Sequence, residues 1–158
     1  MRVLVVSSDP GIRLRAGAAL RARDGFEVDE ATSAMDGHLL TSERDYDVLV
    51  IDGDMRPEGG QSLLFEIRAR AEYEGVAAPP ALMLMGREVD RWVSKWAGAA
   101  DAVVKPVDSF DIARRVLALV GEVEFPEASG RWGPGKARDM DTPPALDHPD
   151  APSSELAP

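Results

Sequence analysis

The chain has no cysteine. That absence removes disulfides, thiolate nucleophiles and thiolate metal sites together, and it fits a reducing, cytoplasmic setting. Histidine is nearly absent too: His38 and His148 each stand without a second ligating residue at metal-site spacing, so no histidine-built metal centre is expected. Positive charge is scarce. Against 28 aspartates and glutamates there are 18 lysines and arginines, a formal net charge of −10, and a surface that acidic repels phosphate backbones, which argues against a nucleic-acid partner. No segment reaches the roughly 18 consecutive apolar residues of a membrane span, and the opening run Arg2-Val3-Leu4-Val5-Val6 lacks the layout of a signal peptide, so no membrane association is expected. At 158 residues there is room for one ordinary domain and an appendage.

What is present, up to about Val120, is an alternation of short β-branched runs with longer amphipathic stretches, repeated five times. This is the pattern of a parallel sheet with crossover helices, an α/β fold. Val3 to Val6 suits a central strand buried on both faces, and Ser7-Ser8-Asp9-Pro10 breaks it and can begin a helix with Ile12, Ala16, Ala19 and Leu20 on one face. Phe26 to Ala31 alternates as an edge strand does, and Thr32-Ser33 can cap a helix carrying Met35, Leu39 and Leu40. Val48-Leu49-Val50-Ile51 is the strongest strand signal, delivering Asp52-Gly53-Asp54 into a loop with Pro57, Gly59 and Gly60, after which Leu63, Leu64 and Ile67 mark a third helix. Pro79-Pro80 precedes a strand at Ala81 to Met85. A helix from about Val89 to Ala97 leads to a short strand at Ala102 to Val104, and Asp108 or Ser109 caps a last helix with Ile112, Val116, Leu117 and Val120 inward.

From Gly121 onward lie seven of the twelve prolines and eight acidic residues against three basic ones, with almost no apolar periodicity. Such a stretch cannot bury a core, so the chain divides into a domain at 1–121 and an acidic disordered tail at 122–158.

In open parallel sheets, functional groups gather beyond the carboxyl ends of the strands. Here those ends supply Ser7 and Ser8, Asp52, Met85 and Gly86, and Lys105 followed by Pro106. The apolar strand ending in Asp52, Gly60 eight residues later, Gly98-Ala99 ahead of the fifth strand and the Lys105-Pro106 pair together resemble the bacterial response-regulator receiver family, over residues 1 to about 120. The resemblance implies a flavodoxin-like, doubly wound sheet of five parallel strands in the order 2-1-3-4-5. It also implies that Asp52 stands where the family's aspartate accepts a phosphoryl group from a histidine kinase, and that Lys105 stands where a lysine neutralises a phosphoryl oxygen.

Around that pair the sequence departs from the family. Two adjacent acidic residues that usually hold Mg²⁺ are replaced by Ser7 and Ser8. Mg²⁺ needs carboxylate oxygens to offset its dehydration, so its binding is expected to be weak or absent. Asp9, Asp52 and Asp54 are the weak candidates that remain, and Asp9 lies one residue past the strand end, where its side chain points elsewhere. Met85 takes the place of the family's Thr or Ser and cannot donate a hydrogen bond; Ala102 takes the place of its aromatic switch residue and has no ring to move.

These departures lead us to expect a signalling module of the two-component type that stands alone without a DNA-binding output domain, is not an enzyme, and acts through protein partners with phosphorylation at Asp52 weakened or lost. A histidine kinase or another regulator is the expected partner, and a homodimer through the fourth helix, fifth strand and fifth helix is a further expectation from the resemblance. Trp92 and Trp96, four apart on the fourth helix, share a face, and if Val93 and Ala97 point inward the tryptophans are left for a partner. Two alternatives remain open: an atypical receiver that binds a small ligand, and a phosphatase similar to the haloacid dehalogenases using the Asp52-x-Asp54 pair.

Overall fold

The computed structural model describes residues 1–121; the tail at 122–158, with the disorder expected of it, lies outside the described residues. Five strands and five helices alternate: β1 (Arg2–Val6), α1 (Pro10–Arg21), β2 (Glu27–Ala31), α2 (Ala34–Glu43), β3 (Val48–Asp52), α3 (Gly60–Glu74), β4 (Ala81–Met85), α4 (Arg91–Trp96), β5 (Asp101–Val104) and α5 (Ser109–Leu119). All strand pairs are parallel and the order across the sheet is β2-β1-β3-β4-β5, the flavodoxin-like arrangement.

The three central strands are apolar on both faces because each face is covered by helices. On one side Val3, Val5, Val50, Leu82 and Leu84 pack against Ala16 and Leu20 of α1 and Ile112 and Val116 of α5. On the other, Leu4, Val6, Leu49, Ile51 and Met83 pack against Leu63, Leu64 and Ile67 of α3 and Ala97 just past α4. Phe26 falls outside β2 and lies under the Arg23 guanidinium, 5.8 Å from the ring centre. Of the apolar residues on α2, Leu40 packs on the core, whereas Met35 and Leu39 are exposed; Ala34 and the backbone at Gly37 are buried instead.

The single helix expected at 89–97 is divided into a 3₁₀ turn at Glu88–Asp90 and the six-residue α4. Asp90 precedes α4 but does not cap it, because its carboxylate is held by the Arg87 guanidinium at 2.9 and 3.0 Å. Asp9, by contrast, caps α1, accepting from the backbone N–H groups of Gly11 (2.7 Å) and Ile12 (3.3 Å), with Pro10 at the first helical position where no N–H is needed. Asp108 does the same for α5. Among the described residues, no helix is long and apolar enough to cross a membrane.

Candidate functional site

Strand register assembles the site. Val6 lies beside Ile51, Asp52 beside Leu84 and Met85 beside Val104, so Ser7, Asp52, Met85 and Lys105 all emerge at the same edge of the sheet. Asp52, at the last position of β3, is only 3% exposed. Its two oxygens are divided: Oδ1 accepts from the Lys105 ammonium at 2.8 Å, and Oδ2 accepts from the Ser7 hydroxyl at 2.7 Å. Oδ1 also accepts from the Asp54 backbone N–H at 3.1 Å, which turns the chain sharply after the strand. Gly60, the first residue of α3, sits so close that a Cβ there would lie 2.3 Å from the Asp52 carbonyl oxygen, so only glycine lets the helix start against the site.

Lys105 has a second anion. Its ammonium lies 2.7 Å from Oδ2 of Asp54, so one cation bridges two carboxylates. Burial by itself would lower the Lys105 pKa; the hydrogen bonds and charges of Asp52 and Asp54 outweigh it and raise the pKa above the ordinary lysine value. The ammonium therefore stays protonated and serves as the positive charge of the crevice.

The carboxylates around the crevice are engaged by the chain's own groups. Asp52 is engaged by Lys105 and Ser7, Asp54 by Lys105, and Asp9 by the amino end of α1. Ser7 is fully buried and spends its proton on Asp52, while Ser8 is exposed. Among the described residues no three His, Cys, Asp or Glu side chains gather as a metal-binding group. Mg²⁺ requires an octahedron of oxygen donors, several of them anionic, and an ammonium between the two nearest carboxylates opposes it. Met85 is 1% exposed and Ala102 likewise, both packed into the core.

Several features escaped the sequence reading. The ammonium that joins Asp54 to Asp52 is one, since Asp54 is expected from the sequence as a weak metal candidate or as half of a phosphatase-like Asp52-x-Asp54 pair, and not as a partner of Lys105. Another is a half-buried ion cluster in which Arg115 reaches Asp101 at 2.7 Å and Asp111 at 3.0 Å, tying α5 to β5. A third is the partner of Trp96: its ring stacks on Phe65 of α3, with centroids 6.1 Å apart and planes 8° from parallel. Trp92 and Trp96 are 58% and 66% exposed, and it is Ser94 with Ala97, rather than Val93 with Ala97, that is buried. The i, i+4 spacing could place the two tryptophans on one face but not reveal Phe65, which is remote in sequence.

A five-stranded parallel sheet in this order, with an aspartate ending the third strand and a lysine directly after the fifth, defines a receiver-type α/β domain. The chain belongs to the response regulator receiver domain family, whose model matches residues 3–117. It is 30% identical over 125 residues to an uncharacterized response regulatory protein of Mycobacterium tuberculosis, covering 76% of this chain and 91% of that one. It is also 30% identical over 142 residues to the transcriptional regulatory protein AruR of Pseudomonas aeruginosa, covering 85% of this chain but 54% of AruR. Among solved structures, the response regulator TrrA of Thermotoga maritima, in complex with Mg²⁺ and BeF, superposes with a TM-score of 0.63 at 26% identity, covering 75% of this chain and 97% of that one. A putative response regulator of Chloroflexus aurantiacus gives 0.67 at 24% identity over 76% of this chain and 97% of its own, which speaks to the fold.

Proposed function

We propose that this receiver is a cytoplasmic signalling module of a two-component system that acts by binding protein partners, with phosphoryl transfer to Asp52 weakened or lost. The observation that carries this reading is the state of the acceptor: Asp52 is held by the Lys105 ammonium on one oxygen and by the Ser7 hydroxyl on the other, in a crevice whose remaining carboxylates are engaged. Phosphoryl transfer depends on positioning and on cancelling charge, and the loss of one donor to developing charge costs about 10²-fold in rate. Here the serines in place of the acidic pair, Met85 in place of a hydroxyl and Ala102 in place of a ring act in the same direction. Weak or absent Mg²⁺ binding follows from the same donors.

Partner binding is supported by the exposed aromatics Trp92, Trp96 and Phe65 on the α3–α4 side. A histidine kinase or a second regulator is the class of partner, and self-association through α4, β5 and α5 is the alternative use of the adjoining surface. The test is incubation with acetyl phosphate and Mg²⁺ followed by intact-mass spectrometry. Little or no addition is expected; a stoichiometric phosphoryl adduct abolished by Asp52→Asn would refute the reading.

A further inference from the structure

We propose that Asp54 is an internal latch of the crevice: its carboxylate takes the place on Lys105 that an incoming phosphoryl oxygen needs, and Gly86 is the residue that admits it. This deepens the reading above and rests on it, since a latch on Lys105 matters to a receiver whose lysine would otherwise receive a phosphoryl oxygen.

Three observations carry it. Lys105 is the cation that joins Asp52 and Asp54, at 2.8 and 2.7 Å, so its hydrogen bonds are directed at both carboxylates at once. Asp54 is two residues beyond Asp52, and its own backbone N–H bonds back to Asp52 Oδ1, which folds the loop so that the Asp54 side chain returns towards the crevice. Its path lies over Gly86, immediately after β4: a Cβ built on Gly86 would stand 2.7 Å from Asp54 Oδ2, the very atom that meets Lys105. Contacts that short are not tolerated, so any larger residue at 86 obliges the Asp54 carboxylate to move.

The chemistry of the latch is that of a competing anion. An ammonium has three protons to donate and no preference between a carboxylate and a phosphoryl oxygen beyond charge and distance. An intramolecular carboxylate held within hydrogen-bond reach has a high effective concentration and needs no encounter. An incoming phosphoryl oxygen must therefore compete with Asp54 for Lys105. The latch also connects three segments, the loop after β3, the start of the β4–α4 connection and the end of β5, all of which border the crevice.

The test measures Lys105 itself and needs no metal or phosphoryl donor. The chain has three lysines, Lys95, Lys105 and Lys136, so trace acetylation read peptide by peptide in a mass spectrometer gives a Lys105 to Lys95 labelling ratio for the full chain. In Asp54→Asn and in Gly86→Ala the ratio is expected to rise about threefold or more, since the free-amine fraction grows tenfold for each unit by which the pKa falls. Adding Gly86→Ala to Asp54→Asn is expected to raise it no further, because both remove the same contact. A native ratio in Gly86→Ala, or an equal further rise in the double variant, overturns the latch. Asp54→Asn keeps the side-chain volume and decides the matter by itself if Gly86→Ala does not fold: an unchanged ratio there overturns it as well. The same variants receive acetyl phosphate and Mg²⁺ in parallel. Stoichiometric phosphorylation of the native chain removes the reading of a weakened acceptor and the latch with it; a refractory native chain whose Lys105 labelling is unaltered by Asp54→Asn removes the latch alone.

Discussion

At the scale of single residues, the crevice is an arrangement of one cation among oxygens that would otherwise repel one another. Lys105 is 20% exposed by side chain and Asp52 5%, so their attraction is screened less than that of a surface pair, and neither can be removed without leaving the other uncompensated. The sign of the pH dependence follows. Because the folded pKa of Lys105 is raised above its ordinary 10.5, the stability it contributes is complete below that value and drains away as pH rises through the folded pKa. Tyr46 acts in the same window: burial and the hydrogen bond it donates to Asp29 at 2.8 Å push its pKa from 10.0 up to about 12, so its contribution is lost between those values. Thermal melts from neutral to strongly alkaline pH are expected to show a steep fall in Tm beyond the ordinary lysine pKa, and Tyr46→Phe is expected to flatten the tyrosine part of it. A Tm that is level across that range in the native chain counts against both assignments.

At the scale of elements, two helices separate roles that look alike in sequence. Asp9 is a helix cap: its Oδ1 accepts two backbone N–H groups at the start of α1. Asp9→Ala is expected to cost about 1 kcal/mol in urea unfolding, the usual worth of an N-cap, and to leave any metal response unchanged. On α4 the tryptophans are surface residues, and the stack of Trp96 with Phe65 contributes little to folding, on the order of 0.5–1.5 kcal/mol for an aromatic pair. Replacing Trp92 and Trp96 by alanine is therefore expected to shift the unfolding midpoint slightly while abolishing the capture of whatever partner co-purifies with the native chain. Retention of that partner by the double variant would move the docking surface elsewhere.

At the scale of the molecule, the residues that bury the two faces of the sheet run, among the described residues, from Val3 to Val120. Truncation after Gly121 is accordingly expected to leave the urea midpoint and the slope of unfolding close to those of the full chain, since the slope reports the surface exposed on unfolding. A marked loss of stability would show that the tail contributes to the domain. Half of the net charge of −10 lies in that tail, in about a quarter of the length, so its removal also changes the charge a partner meets.

The architecture was legible in the chain because strands buried on both faces read as continuous apolar runs, and because Pro10, Pro79-Pro80 and the capping aspartates punctuate them. Asp52 and Lys105 were legible as a pair for the same reason: strand ends in a parallel sheet converge, so their meeting is a matter of topology. Asp54 was not, nor Gly86, nor the Arg115–Asp101 pair, nor Phe65 under Trp96. The first two depend on which way a side chain turns once the backbone has passed the end of a strand, and the other two on how elements remote in sequence are packed side by side. Periodicity carries no information about either; only the packed fold decides that a carboxylate two residues past the strand returns over a glycine to share the lysine.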